Sequence, residues 1–480
     1  MFTLGDIVQG VGDEAQIVRG NETPFDDSMI FRAAHHDSRQ IEAGDLFVAI
    51  RGAHVDGHTF LAQVARLGAL GAFCLEPSRT VRSEFPDFLQ IVVPDVVKAL
   101  QKTARVRTQR QQGTTLIGIT GSNGKTSTKE AAASVLSHAA PTLKTQASYN
   151  NEIGYPLTLL RLEPQHRYAV LEMGAQWVGE LAWLSSSIAR PDWSLITSVG
   201  SAHIEYFGSQ ERIVIAKTEL VQALRPDGIA ILNYDDANVR GMSASTRVRI
   251  LYYGQGEGAD VRAADVTGDM LLGRSCTLQY RGEQQRVQLH LPGEHGVTIA
   301  LAAASVGCAA DMPLAEIAQV LETLGPAKGR GEIKAGPNGS TCIDDSYNAN
   351  RQSILAITRA MKAAHLAPDA RRWAVLGDIF EMGPYAQAEH TQCGRELAGT
   401  LDNLIAIGDE ARYFVEGAIA AGMPEFRTYY FHANVEDAAE LEAAKQAAAD
   451  LLRREVRSHD LVLLKGSRGM RMETMLSSWS

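Results

Sequence analysis

Thr115 to Glu130, TLIGITGSNGKTSTKE, holds the residue types and spacing of a phosphate cradle. The run Thr115-Leu116-Ile117-Gly118-Ile119 reads as a buried strand. Gly121, Ser122, Asn123 and Gly124 follow as a glycine-rich turn, and Lys125-Thr126 opens a helix. Glycines let backbone N–H groups turn toward an anion at a helix N-terminus. A lysine placed there reaches β- and γ-phosphates, and a threonine hydroxyl can ligate Mg²⁺. Only two residues separate Gly121 from Gly124, fewer than in the common G-x-x-x-x-G-K-[ST] loop. The strand before and the helix after are both legible, so a nucleoside triphosphate site is expected.

Two carboxyl ends of buried strands fall beside this loop. Tyr168 to Gly174 ends on Glu172, and Trp193 to Val199 is followed by Ala202-His203-Ile204-Glu205. Open α/β sheets bind ligands at such ends. Thr126, Glu172 and His203 converging on phosphates can hold Mg²⁺. Composition alone makes Lys217, in the helical stretch Glu211 to Leu224, a solvated helix lysine.

The elements that must position these groups alternate strand and helix. Residues 1–110 read as a small N-terminal α/β domain, with strands near Asp45 to Ile50 and Phe88 to Val93 and a helix from Phe60 to Leu67. Its loops carry Asp37-Ser38-Arg39 and Asp56-Gly57-His58. Arg39 there could hold a phosphate and Ser38 could bind or cap, or the run could be plain turn chemistry. Residues 111–324 read as a central P-loop mononucleotide-binding parallel sheet, with antiparallel hairpins inserted over 246–292. The turn formers and cations of Gly325 to Gly331 mark a hinge into residues 325–480, a C-terminal Rossmann-like α/β domain. Its strands lie near Cys342, Trp373 to Leu376, Leu404 to Ile407, Thr428 to Phe431 and Leu461 to Leu464. Asp344 to Asn350 and Lys465 to Arg468 stand at strand ends in this domain. The fold class is therefore α/β with three domains.

At 480 residues the chain has room for about three domains. Hydrophobic residues at 45% and charged residues at 21% are those of a soluble globular protein. The net charge of −10 disfavours a general nucleic-acid binder. Five scattered cysteines without C-x-x-C spacing read as reduced thiols. No basic and apolar leader opens the chain and no apolar run is long enough to span a bilayer, so neither a signal peptide nor a membrane helix is expected.

Across essentially its whole length the sequence resembles the Mur ligase family of peptidoglycan synthesis. The resemblance rests on Asp37-Ser38-Arg39, Gly44 to Ala49, Asp56-Gly57-His58, Thr120 to Thr126, Tyr149 to Thr158, Glu172-Met173-Gly174 and Ala202 to Glu205. In the third domain it rests on Asp344-Asp345-Ser346-Tyr347-Asn348-Ala349-Asn350, Leu376-Gly377-Asp378 and Lys465 to Arg468. The short glycine loop is that family's own variant. The Asp344 to Asn350 run favours the branch that adds a dipeptide over those that add one amino acid.

The resemblance implies an ATP-dependent amide ligase acting in the cytoplasm as a monomer. It would join D-Ala-D-Ala to UDP-N-acetylmuramoyl-tripeptide through an acyl phosphate, with Mg²⁺. It implies catalytic roles for Lys125, Lys217 and His203. ATP contacts fall on Gly121 to Thr126, Arg330 and Asp345, and metal contacts on Thr126, Glu172, His203 and Lys217, the lysine as a carbamate. Substrate contacts fall on Ser38, Arg39, Asn150, Asn348 and Asn350. The sequence departs from the family pattern at Gly296 and Ile299, where asparagines usually stand near the adenine. It departs again at Ser198 and Arg351, where Asn and Pro are usual. Sister ligases that add a single amino acid, and folylpolyglutamate-type synthetases, are the nearest competing readings. A slow nucleotide switch is the competing class.

Overall fold

The computed structural model describes residues 1–479 apart from Glu22, Ala53, His54, Ser201 to His203, Leu272 and Glu294. Besides a two-stranded antiparallel ribbon of Phe2–Thr3 and Ile30–Phe31, three larger sheets organise the chain among the described residues. The first has five strands in the order Gln16–Val18, Leu89–Val92, Gly71–Cys74, Leu46–Val48, Ala34–His35. All neighbours are parallel except the antiparallel Gln16–Val18 edge. Gly71–Cys74, too short and glycine-interrupted to show a period, is one strand the sequence did not reveal.

The second sheet has nine strands and contains the glycine loop. Thr115–Thr120 lies between Tyr168–Glu172 and Trp193–Ile196, parallel to both. The chain runs from it to Thr142–Lys144 and Tyr168–Glu172 on one side, then crosses to Trp193–Ile196 and Ile229–Asn233 on the other. The strand order therefore reverses beside Thr115–Thr120, the place where a parallel α/β sheet opens a crevice for a ligand. The strand Thr115–Thr120 is buried along almost its whole length, as expected of a strand covered on both faces. The Lys125–Ala139 and His295–Ala309 helices cover one face, sealed by Val135, Leu136, Ala300, Leu301 and Ala304.

The expectation of inserted antiparallel hairpins over 246–292 holds only in part. Arg249–Gly254 joins the sheet parallel to Ile229–Asn233, and Val261–Asp269 begins parallel to Arg249–Gly254. Only Gly273–Tyr280 and Glu283–Leu289 extend the sheet antiparallel. Alternating polar and apolar residues specify a half-exposed strand, not its direction. Direction comes from the connection, here a crossover through the short Ala237–Gly241 helix.

The third sheet has six strands, ordered Glu332–Ala335, Thr341–Asp344, Leu461–Lys465, Arg372–Gly377, Asn403–Gly408, Thr428–His432. Five are parallel, and Glu332–Ala335 closes one edge antiparallel. Asp344 and Lys465 end neighbouring strands, and the segment that follows Asp344 reaches the second sheet's glycine loop. All five cysteines are buried and unpaired by disulfides.

Candidate active site

The glycine loop is shaped by one position that no side chain fits and a second whose left-handed backbone favours glycine. Gly121 has φ +148°, and a Cβ there would lie 2.0 Å from the Thr197 hydroxyl. Gly124 has φ +81° and forms the left-handed N-cap of the Lys125–Ala139 helix. The end of the neighbouring strand braces the loop between them. The Ser122 N–H donates to the Ser198 carbonyl at 2.8 Å, and the Thr197 hydroxyl donates to the Asn123 carbonyl at 2.6 Å. Ser198, where the family carries Asn, still accepts from the Asn123 N–H through its hydroxyl at 3.3 Å.

Lys125 folds back over this loop and donates to the Gly121 carbonyl at 2.7 Å. Burial lowers its pKa, the Glu172 carboxylate opposes that, and the Arg330 cation adds to it. The ammonium thus sits among carbonyls at the mouth of an anion site, with a carboxylate and a second cation close enough to affect it.

Glu172 is buried at the end of its strand. One carboxylate oxygen accepts from the Asn150 amide at 2.8 Å. The other has no hydrogen-bond partner, and the nearest cation, the Lys129 ammonium, is 3.7 Å away. An orphaned buried carboxylate oxygen is costly unless a cation completes it. Among the described residues no group of three or more His, Cys, Asp or Glu side chains gathers into a protein-only cage. The Glu172 carboxylate and the Thr126 hydroxyl, joined through Asn150 and Ser148 of one loop, are oxygen donors that suit Mg²⁺, which takes few protein ligands and fills its shell with phosphate oxygens and water. His203 lies outside the described residues.

Lys217 is not the solvated lysine that composition implied. It is 2% exposed and lies 5.8 Å from the Phe207 ring centroid. Burial, with the Lys125 charge adding to it, brings its pKa down to about 7. The helix period already contained this result. Ile213, Lys217, Leu220, Val221 and Leu224 share one face, and the residues flanking Lys217 on that face are buried.

The third sheet's segments reach onto the loop. The Arg330 guanidinium donates to the Thr126 hydroxyl at 3.0 Å and stacks over the Tyr347 ring at 4.1 Å. Tyr347 and Ser148 hydroxyls are 2.5 Å apart, and Ser148 is 3.3 Å from the Thr126 hydroxyl. Asn350 caps the Arg351–Ala363 helix with its side-chain oxygen and donates its amide to the Asn123 side chain at 2.7 Å. It therefore contacts the glycine loop. The Asn348 carbonyl accepts from Lys465 at 2.9 Å, and Lys465 also pairs with Asp345 at 2.5 Å. Arg351, where Pro is usual, pairs with Glu389 at 2.9 Å and Glu396 at 3.0 Å.

The first sheet approaches from the other side. Asp37 caps the short Ser38–Gln40 turn, and the Arg39 guanidinium is held by the Asp37 carboxylate at 2.7 Å. That hydrogen bond brings the Asp37 pKa down to about 2. Gln40 donates to the Tyr149 hydroxyl at 3.3 Å, and the His36 ring meets the Tyr149 ring edge-on at 5.8 Å. All three sheets thus meet around Ser148, Tyr149 and Asn150. A cavity of about 800 Å³ runs from Thr126 and Arg330 between the second and third sheets.

The chain is similar to proteins of known kind. Residues 33–108 match the model described as "Mur ligase family, catalytic domain". Residues 119–307 match "Mur ligase middle domain", and residues 329–468 match "Mur ligase, glutamate ligase domain". The UDP-N-acetylmuramoyl-tripeptide–D-alanyl-D-alanine ligase of Mycobacterium tuberculosis is 35% identical over 465 residues, spanning 90% of this chain and 88% of its own. That of Bacillus subtilis is 30% identical over 473 residues, spanning 98% of both. The chain belongs to the Mur ligase family.

Among solved structures, MurF from Acinetobacter baumannii superposes with a TM-score of 0.83 at 30% identity, covering 100% of this chain and 98% of that one. MurF ligase from Thermotoga maritima, solved in complex with ADP, gives 0.76 at 26% identity, covering 93% and 97%. Within this Mur ligase, Lys129 is a site residue that sequence reasoning missed. Fully buried, its ammonium donates to the Ala147 carbonyl at 2.6 Å and pairs with Glu130 at 3.0 Å. It ties the Lys125–Ala139 helix to the loop that carries Ser148 and Asn150. Its one signal in the sequence was its place one helical turn after Lys125.

Proposed function

We propose that this Mur ligase joins D-alanyl-D-alanine to UDP-N-acetylmuramoyl-tripeptide at the expense of ATP. The observation that carries the reading is the seating of Arg330, Tyr347 and Asn350, from beyond the hinge, on the Gly121 to Thr126 loop. Relatives at 30–35% identity bear that ligase name over nearly their full length.

In the first step a substrate carboxylate oxygen attacks the γ-phosphorus and the bond to the β-phosphate oxygen breaks, giving an acyl phosphate and ADP. In the second, the amine of D-alanyl-D-alanine attacks the acyl carbon, phosphate leaves and the amine loses a proton. Both steps gather negative charge on phosphoryl and acyl oxygens, so preorganised positive charge is the main requirement. Lys125, the loop N–H groups and Arg330 supply it. Thr126 and Glu172 would hold Mg²⁺, which neutralises phosphate charge when bound, with His203 and Lys217 completing the reading. A lysine with a pKa near 7 is about half in the amine form at neutral pH, so Lys217 can add to CO₂ and lose a proton to form a carbamate. Arg330 and Asp345 serve ATP from the third sheet.

Ser38 and Arg39 belong to the part that holds the UDP-substrate, with residues 1–110, 111–324 and 325–480 dividing the substrates among them. Seating the third part on the loop excludes water that would hydrolyse the acyl phosphate. Among the described residues no helix is long and apolar enough to cross a membrane. We place the enzyme in the cytoplasm as a monomer. The test is ADP release by the purified chain with UDP-N-acetylmuramoyl-tripeptide. Release should require D-alanyl-D-alanine, and release indifferent to it would sink the assignment.

A further inference from the structure

The cavity that begins at the glycine loop has a second end, and its chemistry is different. Thr126, Ser127, Glu130, Ala131 and Ser134 line one wall and follow the Lys125–Ala139 helix away from the phosphates. Thr126 to Ser134 spans about 12 Å along that helix. A nucleotide anchored by its phosphates at Lys125 and Thr126 therefore lays its base toward Ser134.

Around that far end stand Leu291, Ile299, Leu324 and Pro326, with Ser134 and Thr323 as the polar members. Both hydroxyl protons are already used. Ser134 donates to the Glu130 carbonyl at 3.0 Å, and Thr323 donates to the Val320 carbonyl at 2.7 Å. Among the described residues no Asn or Gln lines any part of the cavity. A carboxamide is the side chain that pairs donor and acceptor with the adenine edge. Gly296, on the same helix as Ile299, cannot supply one. A Cβ there would lie 2.2 Å from the Leu291 carbonyl oxygen.

We propose that Leu291, Ile299 and Leu324, with no side chain at Gly296, make the base end of this site a hydrophobic clamp that accepts purine nucleoside triphosphates with little regard to the groups at positions 1 and 6. The inference rests on the ligase reading and deepens it. An aliphatic slot holds a purine by its faces and sides, and such pockets discriminate related ligands by about 10- to 200-fold. A site that hydrogen-bonds the base edge rejects the wrong edge by about 10⁴-fold or more.

The test uses the full chain with UDP-N-acetylmuramoyl-tripeptide and D-alanyl-D-alanine, and compares kcat/KM for ATP, ITP and GTP. ITP keeps the adenine outline and reverses the donor and acceptor at positions 1 and 6. The expected result is ITP and GTP turnover within about 1,000-fold of ATP, and a larger preference for ATP overturns the proposal. Calorimetric titration with ADP and IDP reads the same contrast without turnover, and the same limit applies. Should no triphosphate support amide formation, the ligase reading fails, and the ADP and IDP titrations still decide the clamp. The Ile299→Asn variant should raise the ATP-to-ITP ratio by about tenfold or more, as a new amide at the base edge would. An unchanged ratio in a folded variant counts against Ile299 as the determinant.

Discussion

The two ends of one cleft are built on opposite rules. At the phosphate end, nearly every polar group is fixed by another. Gly121 and Gly124 set the loop, Thr197 and Ser198 brace it, and Arg330, Tyr347 and Ser148 close on the Thr126 hydroxyl. At the base end, Leu291, Ile299 and Leu324 offer surface and no edge. The difference follows from what each end must do. Charge that develops during phosphoryl transfer is stabilised only by dipoles and cations already in place, so misplacement there costs rate. The base does not react, so contact area suffices to hold it.

Removing the central cation gives the largest effect. Lys125→Ala should lower kcat by about 10³-fold or more, with the KM for D-alanyl-D-alanine little changed. A rise confined to the KM for ATP, with kcat unchanged, would mean that Lys125 only binds, and the contrast between the two ends would lose its basis. Next comes Lys217→Ala. Turnover should fall by about 10²-fold, and added bicarbonate should not restore it, because no amine remains to carry a carbamate. Near-normal turnover would remove Lys217 from the reaction and leave it a packed lysine beside Phe207.

The same contrast separates what was legible in the sequence from what was not. The loop, its strand and its helix were readable because glycine, lysine and threonine at that spacing have few other uses. Glu172 was readable because a parallel strand announces its own carboxyl end. Lys217 was hidden behind its residue type, although the face it shares with Ile213 and Leu220 pointed inward. Lys129 and Ser148 were hidden for another reason. Their partners, Ala147, Glu172 and Tyr347, are far from them in sequence, and no local pattern reports a contact of that range. The resemblance implies Asn350 as a substrate contact, and a motif shows that a residue matters without showing which neighbours it touches. Its amide goes to Asn123 and its oxygen to its own helix. The parallel direction of Arg249–Gly254 was equally out of reach, since alternation looks the same in either direction.

Tyr347→Phe is a milder break at the phosphate end. It deletes one hydroxyl from the ring of Tyr347, Ser148, Thr126 and Arg330, and leaves the aromatic face under the guanidinium. One neutral hydrogen bond contributes about 1 kcal/mol, so kcat/KM for ATP should fall by roughly fivefold. Ser148→Ala should give a similar fall, and the double variant should cost little more than either alone, since both remove the same bond. Full additivity would show that the two hydroxyls act apart and that closure does not pass through them.

The smallest effect is expected at the base end, and its form matters more than its size. Ile299→Val removes one methylene from a half-buried side chain. A fully buried methylene contributes about 0.8 kcal/mol, and half that burial corresponds to roughly a twofold rise in the KM for ATP. The contact is the same in ground and transition states, so the loss should appear in KM and not in kcat. It should also be the same for ITP, because a methylene touches the outline of the purine and is blind to positions 1 and 6. At the phosphate end a twofold change of this kind would be hard to tell from altered catalysis. Here, parallel KM values for ATP and ITP across parent and variant would show that the base is held by contact area alone. KM values that diverge would place a hydrogen bond to the base edge where the structure shows no carboxamide and only hydroxyls whose protons are already used.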